Sequence, residues 1–317
     1  MNILITGAGG FIGSHLCNYL NKKKIDNIIA VDNLDPYYDV SLKKARIKLI
    51  NKNVNFINLD LRNKQKLLNL FKKYKFNKVI HLAAQPGVRY SLTNPTTYFE
   101  NNLLVFFNLI EFSRQFKVKH FIYASSSSVY GNTKKFPLKE EYSTNKPVSF
   151  YATTKKCNEL IADSYFLNFN LNCTGLRFFT VYGPYGRPDM SLFKFVNAGI
   201  SNKKINIFNN GKHVRDFTYI EDVVDAIYKI VKNKKKKISH QIYNIAGGKP
   251  KSLKNYILEI EKILKKKVKK NNISLQKGDV IKTHADITKL KKDYQFKPKH
   301  DLKRGLKKYI EWFKEYY

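Results

Sequence analysis

Asn2-Ile3-Leu4-Ile5-Thr6-Gly7-Ala8-Gly9-Gly10-Phe11-Ile12-Gly13 is the stretch that decides the fold. Residues 2–6 are a short apolar run, the pattern of a buried strand, and residues 11–22 repeat apolar side chains at helical spacing. Between them lie glycines at 7, 10 and 13. A tight turn, a backbone open to close approach and a helix start with unpaired N–H groups together make a cradle for a pyrophosphate. Gly7, Gly10, Phe11, Ile12 and Gly13 are therefore candidate cofactor-binding residues. Glycine spacing alone is weak; its place between a strand and a helix gives it weight.

Working outward, Asp32 ends the next apolar run, 19 residues after Gly13. A carboxylate there accepts hydrogen bonds from an adenosine ribose and repels a 2′-phosphate. The neighbouring Asn33 and Leu34 bring no positive charge to offset that repulsion. The expected cofactor is NAD rather than NADP, with Asp32 and Asn33 at its ribose.

The alternation that begins here continues. Strands are expected at 2–6, 27–32, 54–59, 78–82, 120–125 and 172–178. Helices are expected at 11–22, 41–51, 63–74, 98–116 and 151–170. Such alternation implies an α/β fold, a Rossmann-type doubly wound parallel sheet with helices on both faces. Beyond residue 180 loops with Gly and Pro become common, and helices at 252–265 and 302–316 suggest a second, smaller α/β substrate-binding lobe. The expected division is 1–180 plus about 212–248 for the NAD-binding domain, and about 181–211 plus 249–317 for the other lobe. The strand at 241–245 is the element that can return to the first sheet.

The 317 residues carry a net charge of +35. The lysines are spread along the chain, with short runs at 22–24, 234–237 and 265–267, none interleaved with aromatics. That reads as a solvated basic surface, with no specific nucleic-acid site, and its positive potential attracts anionic ligands. Cys17, Cys157 and Cys173 are far apart and odd in number, which argues for reduced thiols and against a zinc site. The seven histidines show no ligand spacing, so no metal is expected. No apolar run is long enough to span a bilayer. The first residues already read as strand, so no membrane partner and a cytoplasmic protein are expected.

Tyr151 and Lys155 stand four residues apart at the start of a helix, so both side chains emerge on one face. A free tyrosine, with a pKa of about 10, is a poor base at neutral pH. A nearby ammonium and a positive nicotinamide ring both favour the phenolate.

With the glycine loop, Asp32 and Tyr151/Lys155 in hand, the chain resembles the extended short-chain dehydrogenase/reductase family over nearly its whole length. The resemblance implies that Asp60 and Leu61 flank the adenine, that Leu82, Ala83 and Ala84 line the cofactor, and that Asn102 holds the cofactor side of the active site. It places Val105 where the family usually has glycine. It assigns Ser126, 25 residues before Tyr151, as the serine that hydrogen-bonds the reacting sugar oxygen, with Tyr151 as base and Lys155 on the nicotinamide ribose. Dehydrating or decarboxylating relatives carry acids just before Val129-Tyr130-Gly131; here Ser127 and Ser128 stand there, which favours simple epimerisation.

Three further segments resemble the family's epimerases that act on UDP-glucuronate: Asp32 to Val40, Ala84 to Ser91, and Leu176 to Met190. By that likeness Gln85, Arg89, Ser127, Ser128, Phe179, Thr180 and Arg187 are candidate substrate contacts. Thr180 stands where UDP-galactose epimerases have asparagine, and Arg187 is the candidate partner of a C6 carboxylate or, equally, half of a loop salt bridge. Arg215 is implied at the UDP phosphates and Asp279 at the uridine ribose, with Gln276 where many relatives have arginine. The implied product is UDP-galacturonate, and the implied assembly a homodimer through 98–116 and 151–170. Other readings stay open: a UDP-glucose/UDP-galactose epimerase, an NAD-sensing protein on the same fold, and a charge-driven nucleic-acid binder.

Overall fold

The structure, a computed structural model, describes residues 1–25, 27–50, 52–233, 238–274 and 280–317. Strand β1 (Ile3–Thr6) leads through the glycine turn into helix α1 (Phe11–Lys22), and the alternation follows the sequence pattern. β2 (Ile28–Asp32), α2 (Val40–Leu49), β3 (Asn55–Asn58), α3 (Lys64–Tyr74) and β4 (Lys78–His81) come next. Two short helical turns, α4 (Tyr90–Thr93) and α5 (Pro95–Tyr98), precede a π-helical turn at Phe99–Leu104 and α6 (Val105–Gln115). β5 (His120–Ser126), α7 (Phe150–Phe169) and β6 (Cys173–Phe178) complete this half. The helix expected over 98–116 is thus a π-helical turn followed by α6.

β7 (Thr180–Tyr182), α8 (Ser191–Ser201), β8 (Ile205–Phe208), β9 (Val214–Arg215), β10 (Phe217–Tyr219) and α9 (Ile220–Lys232) follow. Then come β11 (His240–Ile245), β12 (Lys251–Ser252), α10 (Leu253–Leu264), β13 (Lys270–Ile273), α11 (Thr288–Tyr294) and α12 (Leu302–Tyr316). The main sheet is parallel, in the order β11-β6-β5-β4-β1-β2-β3. The strand that the sequence left open, β11, returns to this sheet beside β6. Three small two-stranded pairs, β7 with β10, β9 with β12 and β8 with β13, lie outside this sheet.

Successive strand residues bury on opposite faces, as a doubly covered sheet requires. Leu4, Ile29, Val79 and Phe121 pack with Leu67 and Phe71 of α3 and Phe106 and Leu109 of α6. Ile3, Ile5, Ala30, Ile80 and Ile122 face the other way, into a core with α1, α9 and the C-terminal helices. Order reverses between β1 and β4, and at such a switch point the carboxyl ends of parallel strands open a crevice. No helix among the described residues is long and apolar enough to cross a membrane.

Candidate active site

A cavity of about 1320 Å³ opens along the carboxyl ends of β1, β2, β4, β5 and β6. Gly7 sits in its floor with φ +75°, a left-handed conformation suited to glycine, and a Cβ there would lie 2.7 Å from the Ala83 nitrogen. A Cβ on Gly13 would lie 2.1 Å from the Gly7 oxygen. α1 has no side-chain cap at Gly10, so the first-turn N–H groups of Phe11, Ile12 and Gly13 border the cavity with the positive end of the helix dipole. These are the features a dinucleotide pyrophosphate needs, and the residues fit the cofactor.

Asp32 lies at the same end. Its carboxylate accepts from the Gly9 N–H at 2.9 Å and the Leu34 N–H at 2.8 Å, which fixes it at the strand end with lone pairs to spare. Gly9, a fourth glycine given no role in the sequence, is what allows this contact: its Cβ would come 3.1 Å from the Asp32 Cγ. Lys43 of α2 reaches this corner too, its Nζ donating to the Asp35 carbonyl at 2.5 Å. Asn33, Asp60, Leu61, Leu82, Ala83 and Ala84 continue the wall. Asp60 is paired with Arg62 at 2.7 Å, which holds its carboxyl below the usual range.

Asn102 is the predicted cofactor residue that does not line the cavity. It is buried in the π-helical turn, where its carbonyl accepts from the Gln85 N–H at 2.7 Å and its amide donates to the Gln85 carbonyl at 3.1 Å and to Thr154 at 3.2 Å. Asn102 thus fixes the backbone of a wall residue from behind.

The three candidate catalytic side chains come from two elements. Ser126 ends β5, and Ser149 caps α7 by accepting from the Ala152 N–H at 3.1 Å. That cap sets Tyr151 and Lys155 on the first turns of α7, facing the cavity. Ser126 Oγ accepts from the Ser128 hydroxyl at 2.8 Å and from the Ser128 N–H at 3.2 Å. Its own proton is left to reach Tyr151, with which it hydrogen-bonds.

The surroundings of Tyr151 push its pKa up; the hydrogen bond from Ser126 and the Arg187 charge pull the other way. Lys155 is 2% exposed, donates to the Ala124 carbonyl at 3.0 Å and is pulled down to about 8 by burial. Lys155 stands 6.0 Å from the centre of the Tyr151 ring. Behind β5, Ser125 donates to Glu159 at 2.6 Å, and Glu159 holds a two-pronged pair with Arg177 at 2.8 Å, so the strand end is braced.

Gln85, Arg89, Ser127, Ser128, Phe179, Thr180, Arg187 and Arg215 all line the cavity. Arg187 makes a two-pronged pair with Asp189 through Nε at 3.0 Å and Nη2. It is therefore both a loop ion pair and a cavity cation. Arg89 lies over the Phe208 ring at 4.6 Å. Asp279 and Gln276 lie outside the described residues.

Sequence reasoning assigned no role to Tyr37, Tyr38, Tyr90, Lys43, Lys194, Lys203 and Lys204, which also line the cavity. Tyr37 and Tyr38 lay within the segment Asp32 to Val40 and Tyr90 within Ala84 to Ser91; the lysines carried no signal in a chain so rich in lysine. Lining Lys and Arg side chains number eight, against four Asp, which suits a diphosphate. Among the described residues no group of three or more His, Cys, Asp or Glu is placed to hold a metal ion.

Residues 3–246 match the family described as the NAD dependent epimerase/dehydratase family. Over 333 residues the chain is 44% identical to protein CapI of Staphylococcus aureus, covering 100% of this chain and 99% of that protein. It is 40% identical to UDP-glucuronate 4-epimerase 4 of Arabidopsis thaliana, covering 100% of this chain and 76% of that one. Among solved structures it resembles UDP-glucuronic acid 4-epimerase from Bacillus cereus in complex with UDP-glucuronic acid and NAD, with a TM-score of 0.94, 35% identity and 100% of each chain covered.

Proposed function

The chain belongs to the NAD dependent epimerase/dehydratase family, and from that premise we propose that it is a UDP-glucuronate 4-epimerase, converting UDP-glucuronate to UDP-galacturonate with NAD held in the protein. The observation that carries this reading is one cavity holding Ser126, Tyr151 and Lys155 between the glycine cradle and the Thr180/Arg187 wall.

Bound NAD would supply a reversible hydride acceptor for the sugar C4, and with the 4-keto sugar turning over in the cavity before the hydride's return, the reaction would be redox-neutral. Gly7, Gly10, Phe11, Ile12 and Gly13 hold the pyrophosphate, and Asp32 takes the adenosine ribose hydroxyls. Tyr151 removes the C4 hydroxyl proton and later gives it back. Ser126 donates to the same oxygen as its charge develops. Lys155 binds the nicotinamide ribose, while the Ser126 hydrogen bond and the Arg187 charge oppose the upward push of burial on Tyr151. Arg89 and Arg215 meet the diphosphate.

Thr180, Ser127, Ser128 and Arg187 receive the C6 carboxylate, with Asp189 holding the Arg187 fork in place. A 4-keto-uronate is a β-keto acid, so this grip also keeps the carboxylate from leaving as CO₂. The same reading includes a cytoplasmic location, the division of the chain into 1–180 plus about 212–248 and about 181–211 plus 249–317, and a homodimer.

A UDP-glucose/UDP-galactose 4-epimerase is the second reading. It is favoured by the Arg187–Asp189 pair, which leaves no bare cation when a neutral C6 hydroxyl is bound. NMR of the nucleotide products after incubation with UDP-glucuronate and, separately, with UDP-glucose tests both. UDP-galacturonate is expected from the first, and Tyr151→Phe is expected to lower that turnover by at least about 10²-fold while NAD stays bound. No change in either UDP-sugar would remove the assignment.

A further inference from the structure

Arg46, in the last turn of α2, has no exposed surface at all. A buried guanidinium is ordinarily matched by a carboxylate; the hydrogen-bond partners of this one are two backbone carbonyls and a phenol. Its Nε and Nη2 both donate to the Tyr185 carbonyl, at 3.0 and 2.7 Å. Its Nη1 donates to the Gly9 carbonyl at 3.2 Å and to the Tyr38 hydroxyl.

Neither Gly9 nor Tyr185 lines the cavity, but the two carbonyls belong to the segments that carry Gly7 and Gly10 at one end of it and Arg187 at the other. Gly9 is part of the glycine turn, and its N–H is already held by Asp32. Tyr185 lies two residues before Arg187, in a left-handed conformation with φ +59° that a tyrosine adopts only under outside restraint. The Tyr185 ring is packed on Trp312 at 4.9 Å, so the turn is pinned from both sides.

We infer that Arg46 is a positioning residue that ties the loop bearing Arg187 to the glycine turn, so that filling the cofactor cradle fixes the sugar end of the cavity. Fixing the glycine turn around a bound pyrophosphate fixes the Gly9 carbonyl and with it the guanidinium, and the guanidinium fixes the Tyr185 carbonyl. By linkage the effect runs both ways: a ligand gripped by Arg187 steadies the cradle. This inference rests on the cofactor reading above.

Hydrogen exchange on the full chain, with and without NAD, tests it. In the parent protein NAD slows exchange at residues 10–13 and also at 183–190. Arg46→Lys offers one nitrogen where the guanidinium uses three. In that variant NAD still slows 10–13, but the slowing at 183–190 falls by about fivefold or more. Equal slowing of 183–190 in parent and variant, or none in the parent, overturns the inference. An NAD effect missing even at residues 10–13 of the parent overturns the cofactor reading, and the inference falls with it. Should Arg46→Lys not fold, Arg46→Gln, a neutral side chain with a single donor group, is read by the same two segments. Tyr38→Phe, which keeps both carbonyl contacts, retains the coupling.

Discussion

Lys155 is where stability and chemistry oppose each other. Its ammonium is buried with the Ala124 carbonyl as its hydrogen-bond acceptor, and burial draws its pKa down to about 8. Below pH 8 the folded protein bears the full penalty of the buried charge. Between 8 and the ordinary lysine value of 10.5 the unfolded chain holds more protons than the folded one, so stability rises with pH across that window. Lys155→Met is therefore expected to raise stability at pH 7 by about 1–3 kcal/mol while removing activity. Its advantage shrinks from pH 8 upward. Urea unfolding at pH 7 and pH 9.5 checks this, and equal stability of the two proteins at pH 7 would contradict it. The Tyr151/Lys155 pair was legible in sequence because it is local: four residues on one helix. For Arg187 a loop salt bridge was legible but its partner Asp189 was not, because a loop has no fixed period from which facing can be read.

At the scale of elements, the β1–glycine turn–α1 unit carries most of the cofactor argument. Gly13 lies against the Gly7 carbonyl so closely that any side chain would collide with backbone. Gly13→Ala is expected to yield protein purified without NAD and with a lowered melting temperature; full NAD content measured after denaturing release would refute the packing argument. The helix expected over 98–116 shows what periodicity cannot foresee. Its first residues form a π-helical turn at Phe99–Leu104, which buries Asn102 against the Gln85 backbone. Apolar spacing is nearly the same for the two helix types over one turn, so only the tertiary partner selects between them.

For the whole molecule, the charge of +35 and the apolar surface matter together. Phe99, Leu104 and Phe107 before and on α6, and Leu160 and Leu167 on α7, are between 41% and 69% exposed. Large apolar side chains grouped on adjacent helices suit a partner surface, and the proposed homodimer covers them. Light scattering is expected to give the mass of two chains, and the double change Phe107→Glu with Leu160→Glu to give one. A monomeric parent at micromolar concentration would sink this part of the reading.

The sequence by itself determined the alternating order of strands and helices, the glycine cradle with Asp32, and the Tyr151/Lys155 pair. Each is written in residues close together, where backbone geometry converts spacing directly into facing. Only the tertiary structure decided that β11 closes the sheet beside β6, that Asn102 works from behind the cavity wall, and that Arg46 joins Gly9, 37 positions before it, to Tyr185, 139 positions after it. Those contacts are made by backbone carbonyls and buried polar groups from distant segments, which carry no residue code of their own and meet only once the core has brought them together.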